Sequence, residues 1–308
     1  MNATVCTGEL AGIVGGELVL GSLPPLGGRL EPVSRIVTDL SQLGEGDVFW
    51  ALNPDVPADW AFASHALGVI SSRPVEPWAG RFAIHVQDNG QALARVADWA
   101  VRMQPGNRIF VIENEPTTSS LIHQFLSTRL VGQLHCGATW PLDLLGVSSA
   151  SDFIVVAIND SFLKINGLSD QSHLCSSDIL VISSLANHEW ETRDPFHKIV
   201  ADEVSQLPSC SWLILNGDEA ATFTLASQAN ARVMFCGEKA HCSVRAQSVC
   251  QTESGVRFEL DNQAICHRGS NSTADLLAAI AVAQAINWTD AEICDAMNGL
   301  ESQFASQL

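Results

Sequence analysis

Short apolar segments alternate with polar turns in the first third of the chain, and their spacing predicts both strands and helices. Glycines and prolines between residues 15 and 40 mark turns between short strands. Beyond them, strands are predicted at 47–52 and 81–86, a helix running into a strand at 60–73, and a helix at 89–103. We therefore predict a small α/β domain over residues 1–103, followed by the linker-like sequence QPGN.

The pattern changes after residue 107, where continuous apolar runs recur with helical stretches between them. These runs are IFVI, FIVVAI, DILVIS, WLILN and ARVMF, starting at residues 109, 153, 178, 212 and 231. Continuous apolar strands are typical of a mostly parallel sheet flanked by helices on both faces. Towards the end, the sequence predicts a hairpin around residues 253–255 and then two helices, the second capped by Thr289 and Asp290. Residues 104–308 are therefore predicted to form a second α/β domain.

The composition indicates a folded protein and excludes some classes of partner. Of the 308 residues, 46% are hydrophobic and 16% are charged, and the formal charge is −18. An acidic chain repels nucleic acid and anionic lipid at long range, so we expect no nucleic acid partner. The N-terminus lacks the basic start of a signal peptide, and no apolar run reaches the ~18 residues that membrane insertion requires.

The cysteines predict a reducing compartment. There are nine, an odd number with no CxxC pair, which indicates free thiols and a cytoplasmic location. A cluster near the end of the chain contains Cys236, His241, Cys242, Cys250, Cys266 and His267. Because these spacings match no zinc pattern, the favoured interpretation is that the cysteines are buried strand thiols.

Residues 106–126 have the order of a phosphate-binding strand, loop and helix. The loop, ENEPTTSS, contains neither lysine nor glycine, and Glu113 and Glu115 add negative charge where a triphosphate would lie. One interpretation is that Thr117, Thr118, Ser119 and Ser120 still form a phosphate nest at the helix N-terminus. The favoured alternative is that these hydroxyl residues cap a helix that begins near Ser119 or Ser120.

Four stretches in a fixed order resemble the Mur ligases, the ATP-dependent enzymes that add amino acids to the UDP-MurNAc precursor of peptidoglycan. They are GELAGIVGGEL, IVTDLSQLGEGDVFWAL beside a TDSR…PGDLFVAL pattern, WLILNGDE beside LNADD, and RGSNSTADLLAAIAVAQAI beside GxHNxxNALAAIA. The likeness is greatest to the branch that adds D-alanyl-D-alanine. It implies a UDP-sugar-binding-type domain over 1–103 and an ATP-binding-type domain over 104–308. We expect the C-terminal ligase domain of the family to be absent from this chain.

The resemblance also assigns the family's catalytic positions, and most of them are changed. The loop lysine corresponds to Ser119, or to Pro116 in a shifted alignment, and the metal-binding glutamate corresponds to Ala157, near Asn159 and Asp160. The family's histidine is retained as His188, with Glu189 and Glu191 beside it, and His188 and Asp160 are the candidate metal ligands. The favoured alternative is that His188 is a surface residue of a loop and that Asp160 belongs to a turn. The carbamylated lysine falls at Asp202 or Glu203, one helical turn from Lys198. His188 and Lys198 are vestigial catalytic candidates.

Residues that lie near the nucleotide or the UDP-sugar in the family are better preserved. Asn216, Asp218 and Asn271 are retained in the central domain, although Asn-Gly-Asp is also an ordinary turn after a strand. In the first domain Asp39 is retained as a candidate substrate contact, while the serine and arginine that follow it in the family are Leu40 and Ser41 here.

We therefore predict a catalytically inactive Mur ligase homologue that acts by binding, with a cell-wall biosynthesis enzyme or a UDP-MurNAc-type precursor as its partner. The alternative is an active ligase or ATPase with a rebuilt site and a third domain supplied by another chain. ATP and Mg²⁺ are expected as cofactors only under that alternative. A third hypothesis is a nucleotide-sugar binder whose affinity resides in residues 1–103.

Overall fold

The chain divides into two compact units. The computed structural model describes residues 5–53, 56–113, 115–136, 142, 151–158, 177–183, 195–252, 255–261, 263–268 and 271–305. The first unit contains the described residues up to Met103 together with Leu142, and the second contains the other described residues from Gln104 onward. Within the described part of the chain, no helix has both the length and the apolarity needed to cross a membrane.

A five-stranded sheet forms the centre of the first unit, in the order β1-β5-β4-β3-β2. Its strands are β1 (Glu17–Leu20), β2 (Ile36–Val37), β3 (Val48–Ala51), β4 (Gly68–Ser71) and β5 (Phe82–His85), and its helices are α1 (Thr7–Val14), α2 (Trp60–Ala63) and α3 (Asn89–Arg102). Strands β2 to β5 run parallel, and β1 is antiparallel to β5. The strands and helices predicted for this region are confirmed.

The central strands β3 and β4 are buried on both faces, because alternate side chains point to opposite sides and a core covers each side. Val48 and Trp50 belong to the core on the side of α1 and α3, whereas Phe49 and Val69 belong to the core on the side of α2. This explains why residues 48–52, VFWAL, are apolar without a break.

The second unit is built on a seven-stranded sheet in the order β12-β11-β10-β9-β6-β8-β7. Its strands are β6 (Asn107–Ile112), β7 (Gly132–His135), β8 (Phe153–Ile158), β9 (Ile179–Ile182), β10 (Trp212–Asn216), β11 (Arg232–Gly237) and β12 (Val244–Arg245). All adjacent strands are parallel, as the continuous apolar runs predicted. The helices are α4 (Thr117–Leu126), α5 (Pro195–Gln206), α6 (Ala221–Gln228), α7 (Thr273–Ala285) and α8 (Asp290–Ala305).

A three-stranded antiparallel sheet completes this unit, with strands β13 (Gln247–Thr252), β14 (Gly255–Leu260) and β15 (Gln263–Arg268). The predicted hairpin of β13 and β14 is confirmed, but β15 was not predicted. Its sequence, QAICHR, has only one strongly apolar residue, Ile265, which packs into the same core as Phe258 and the helix α7. The pattern of β15 is therefore too polar to indicate a strand by itself.

The two C-terminal helices begin as the sequence indicated. Ser272 and Asp275 form a reciprocal capping box at the start of α7. At α8, the Thr289 hydroxyl accepts from Glu292 N, while the Glu292 carboxylate accepts from Thr289 N and Oγ1. The predicted cap at Thr289 is thus confirmed, with Asp290 as the first helical residue.

Candidate functional site

The carboxyl ends of the parallel strands in the second unit bring several polar residues to one edge of the sheet. Glu113 follows β6, Ser183 follows β9 and Asn216 ends β10, and these three strands are neighbours. Ligands of open α/β sheets bind at this edge. Whether this edge can bind a ligand therefore depends on whether these polar side chains are already hydrogen-bonded to the protein.

Glu113 places its carboxylate on the N-terminus of α4. Its Oε2 atom accepts from Thr118 N at 2.9 Å and from Ser119 N at 3.2 Å, and its Oε1 atom is 3.3 Å from Ser119 N. These N–H groups are the ones that a helix offers to a phosphate. Glu113 is only 5% exposed, so the chain itself supplies an acceptor for the anion-binding end of α4.

The environment of Glu113 is unfavourable for its negative charge. The pKa of Glu113 is raised from 4.5 to about 7, mainly by burial and to a smaller extent by the nearby Asp275 carboxylate. Hydrogen bonds from Ser119 and Thr118 oppose this shift but do not cancel it. A phosphate at this position would meet the same burial and the same neighbouring acid, in addition to Glu113 itself.

The hydroxyl groups of the loop differ in their contacts, and that of Ser119 is buried without a hydrogen-bond partner. The Thr117 hydroxyl is 3.5 Å from Glu115 O, and the Ser120 hydroxyl donates to Pro116 O. The predicted helix start near Ser119 or Ser120 is wrong, because α4 already begins at Thr117. The predicted hydroxyl cap is wrong too, because the N-cap residue is Pro116, which makes no side-chain cap. The Glu113 carboxylate takes the place of a capping hydroxyl from outside the helix.

Thr118 connects this loop to the last predicted nucleotide-binding segment. Its hydroxyl donates to Asp275 Oδ1, in the first turn of α7. Asn271 immediately precedes Ser272, the N-cap of α7, and is half-buried. The fold therefore brings the loop at Thr118 and the segment carrying Asn271 together, as the family pattern implied.

Asn216 and Asp218 bind the backbone of their own turn and of neighbouring loops. Asn216 donates from Nδ2 to Ser183 O at 3.2 Å and accepts from Asp218 N at 2.9 Å. Asp218 accepts from Glu238 N and Lys239 N. Both side chains thus fix the loops that follow β9, β10 and β11, which is a structural use of the Asn-Gly-Asp turn.

The remaining catalytic candidates are dispersed or lie outside the described residues. Lys198 is exposed on α5, and Ala157 is buried in β8. His188 and Asp160 lie outside the described residues, as do Asn159, Glu189 and Glu191. Among the residues that the structure describes, no group of three or more histidine, cysteine, aspartate or glutamate side chains is arranged to hold a metal ion.

The cysteine cluster differs from its prediction. Cys236 and Cys242 are buried, and burial raises the pKa of the Cys236 thiol to about 12. Cys250 and Cys266, however, are exposed, so the prediction of buried strand thiols is wrong for these two residues. Both lie on the outer face of the three-stranded sheet, in β13, where nearly all residues are exposed, and in β15, where the buried residues alternate with exposed ones.

The first unit has an open cavity at the equivalent edge of its own sheet. The cavity has a volume of about 630 Å³ and lies at the ends of β3 and β4. It is lined by Ala51, Val56, Pro57, Ala58, Asp59, Ser71, Arg73, Pro74, Val75, Glu76, Pro77 and Trp78. Small-molecule sites have volumes of about 300–1,000 Å³, so this cavity is large enough for a nucleotide-sized ligand.

Among the lining residues that the structure describes, Arg73 is the one cation. A second cavity of about 260 Å³ shares Ser71, Arg73, Pro74 and Val75 with the first, so Arg73 borders both spaces. Trp78 adds an aromatic surface that is 52% exposed. The pattern analysis missed this arginine, because a single arginine after a strand carries no motif.

Asn89 holds the rim of this cavity in place. From the start of α3 it accepts from the buried Trp50 indole at 3.1 Å and donates to Ala51 O at 2.9 Å and Leu52 O at 3.3 Å. It therefore fixes the end of β3, which carries the cavity-lining residue Ala51.

Asp39, the predicted substrate contact, is exposed and is not one of the residues that line the cavity. Its carboxylate accepts from Ser41 N at 2.9 Å, and this backbone hydrogen bond lowers the pKa of Asp39. In the structure Asp39 caps the short 3₁₀ turn Leu40–Gln42.

No family model matches this sequence, and no curated protein matches it. Solved structures do match. One is the UDP-N-acetylmuramoylalanyl-D-glutamyl-2,6-diaminopimelate–D-alanyl-D-alanyl ligase from Acinetobacter baumannii, at 16% identity and a TM-score of 0.76 over 97% of this chain and 68% of that one. MurF from Thermotoga maritima, in complex with ADP, is 16% identical with a TM-score of 0.65 over 83% of this chain and 64% of that one.

A further match is the UDP-N-acetylmuramate:L-alanyl-γ-D-glutamyl-meso-diaminopimelate ligase (MPL) from Neisseria meningitides, at 12% identity and a TM-score of 0.50 over 78% of this chain and 80% of that one. Sequence identities of 12–16% show the fold alone. This chain has the fold of MurF, and the match covers 97% of this chain. The fold expectation drawn from the four sequence stretches is thereby confirmed.

Proposed function

We propose that this protein is a Mur ligase homologue that acts by binding and does not carry out ATP-dependent ligation. One observation supports the proposal above all others: the Glu113 carboxylate accepts from the N–H groups of Thr118 and Ser119 at the start of α4. In a phosphate-binding loop these donors must be available to the nucleotide.

The described residues do not fit ATP with Mg²⁺ at this site. Phosphoryl transfer depends on positive charge placed around the transferring group. Here the loop contains no lysine, and the acids Glu113, Glu115 and Asp275 lie in or beside it. We therefore derive no reaction step through ATP, and the proposed role is a scaffold for a cell-wall enzyme or a sensor for a precursor.

The cavity of the first unit favours a more specific second candidate, the binding of a nucleotide sugar. A diphosphate needs a cation that can donate two hydrogen bonds, and Arg73 offers such a fork beside a cavity of about 630 Å³. The exposed face of Trp78 provides an apolar surface for a base or a sugar ring. Under this candidate the first unit is the ligand-binding part of the protein.

Phosphate release from Mg²⁺-ATP tests the loss of ligation. We expect no release above the rate without protein, whether or not a UDP-MurNAc-tripeptide and D-alanyl-D-alanine are present. Turnover that disappears in both the His188→Ala and Lys198→Ala variants would contradict the proposal and support the rebuilt-site ligase.

A further inference from the structure

Three exposed side chains form a row across the outer face of the three-stranded sheet. Cys250 of β13 is directly opposite Arg257 of β14, and Arg257 is directly opposite Cys266 of β15. Residues paired across antiparallel strands point to the same side of the sheet. All three are exposed, so an arginine lies between two accessible thiols.

The spacing of the row defines what it can do. Adjacent strands lie about 4.8 Å apart, so each cysteine neighbours Arg257, whereas the two cysteines are separated by about 10 Å. A disulfide requires Cα atoms within about 7 Å, which excludes a bond between Cys250 and Cys266. Each thiol is therefore available to a partner from solution.

The charge on this face differs from that of the rest of the chain. Arg268 lies opposite Gly255 on the same face. This face therefore carries two arginines, although the formal charge of the whole chain is −18. Glu259 is also on this face, opposite Ala264 and two residues from Arg257. Within the described residues, the Arg257 guanidinium has no ion pair or side-chain hydrogen bond.

We propose that Cys250 and Cys266 are sites of S-thiolation by small anionic disulfides of the glutathione class, with Arg257 binding a carboxylate of the reagent. The cysteine thiol loses its proton to water, and the resulting thiolate attacks one sulfur of the disulfide. A new S–S bond forms, the old S–S bond breaks, and the second half leaves as a thiolate with the bonding electron pair. The disulfide is the oxidant, and one group is added for each cysteine that reacts.

Two other exposed thiols provide an internal comparison. Cys136 and Cys210 are also exposed. Arg108 lies near enough to Cys210 for Cys210 to contribute to the raised pKa of Arg108, but the Arg108 guanidinium is already paired with Asp178 at 2.8 and 2.9 Å. We therefore expect an anionic disulfide to react faster with Cys250 and Cys266 than with Cys136 and Cys210. A neutral disulfide should show a smaller difference in rate.

The test is incubation of the full chain with glutathione disulfide, followed by peptide mass mapping over time. Cys250 and Cys266 should be modified faster than Cys136 and Cys210. Arg257→Gln should slow both sites about threefold, the factor expected for unit charges roughly 6 Å apart in water. Arg102→Gln, an equal charge change on an exposed helix of the first unit, should leave the rates unchanged.

Hydroxyethyl disulfide, which is neutral, shows whether Arg257 speeds the reaction by binding a carboxylate or whether the thiols react only because they are exposed. With it, Arg257→Gln and the unchanged protein should react at the same rate. The proposal is overturned if Cys250 and Cys266 react no faster with glutathione disulfide than Cys136 and Cys210. It is also overturned if Arg257→Gln slows the neutral and the anionic reagents equally, or neither. Thermal melts of Arg257→Gln establish that the variant is folded.

Discussion

The two units of this chain each gather polar residues at the carboxyl ends of parallel strands, but they use them differently. In the first unit, the ends of β3 and β4 frame an open cavity bordered by Arg73. In the second unit, the polar side chains after β6 and β10 bind the chain's own N–H and C=O groups, as Glu113 and Asn216 show. The edge formed by the carboxyl ends of the parallel strands is thus open to solvent in the first unit. In the second unit, polar side chains at this edge are hydrogen-bonded to the backbone of the chain itself.

This difference shows why polar residues at strand ends do not by themselves indicate a ligand site. The deciding property is whether the donors and acceptors remain available to a ligand. At α4 the donors are satisfied by Glu113, whereas Arg73 borders two cavities of the first unit. The loop of the second unit therefore has a structural role, and the proposed binding function rests on the cavity of the first unit.

The largest expected effect concerns Glu113 and pH. A pKa raised from 4.5 to about 7 means that folding favours the protonated carboxyl. The resulting stability is fully present below pH 4.5 and is lost as the pH rises through about 7. The loss amounts to about 3 kcal/mol. Glu113→Gln should remove this pH dependence and should be more stable than the unchanged chain at pH 8, as measured by urea unfolding.

The matched control for this experiment is Glu115→Gln, which removes the same charge from an exposed position of the same loop. We expect its unfolding free energy to keep the pH dependence of the unchanged chain. Equal pH profiles for the Glu113→Gln variant and the unchanged chain would contradict the buried, helix-capping role of Glu113.

A smaller effect is expected on ligand binding in the first unit. Loss of a charged hydrogen-bond donor costs about 1.5–3 kcal/mol, so Arg73→Gln should weaken UDP binding by roughly 10- to 100-fold. Calorimetric titration with UDP measures this change. Arg81→Gln is the control, since Arg81 lies near the same sheet but does not line the cavity. Equal UDP affinities in the Arg73→Gln and Arg81→Gln variants would show that Arg73 does not contribute to UDP binding.

The smallest of these effects concerns the cavity rim. Asn89→Ala would leave the indole N–H of Trp50 buried without its acceptor, because Trp50 is fully buried. Such an unsatisfied donor costs about 1–3 kcal/mol of stability. Thermal unfolding compares this variant with Asp88→Ala, which removes only the N-cap of α3. A change no larger than that of Asp88→Ala would argue against the role of Asn89 in holding the rim.

The sequence predicted the fold better than it predicted the contacts of the site. Apolar runs such as FIVVAI determine a buried parallel strand locally, so β8 could be recognised without tertiary information. Glu113 was recognised as an obstacle to phosphate, but its bonds to Thr118 and Ser119 depend on how the loop folds back over α4. Arg73 carried no signal, because a cavity arises from the spatial arrangement of separate segments.

The most direct test of the contrast between the cavity of the first unit and the loop of the second is calorimetric titration of the full chain. The sample is titrated with Mg²⁺-ATP up to millimolar concentrations and then with UDP. We predict no saturable heat for Mg²⁺-ATP and saturable binding of UDP that Arg73→Gln weakens. Saturable Mg²⁺-ATP binding that persists in Arg73→Gln and changes with Glu113→Gln would contradict the account, because it would place a working nucleotide site at the loop that we describe as occupied.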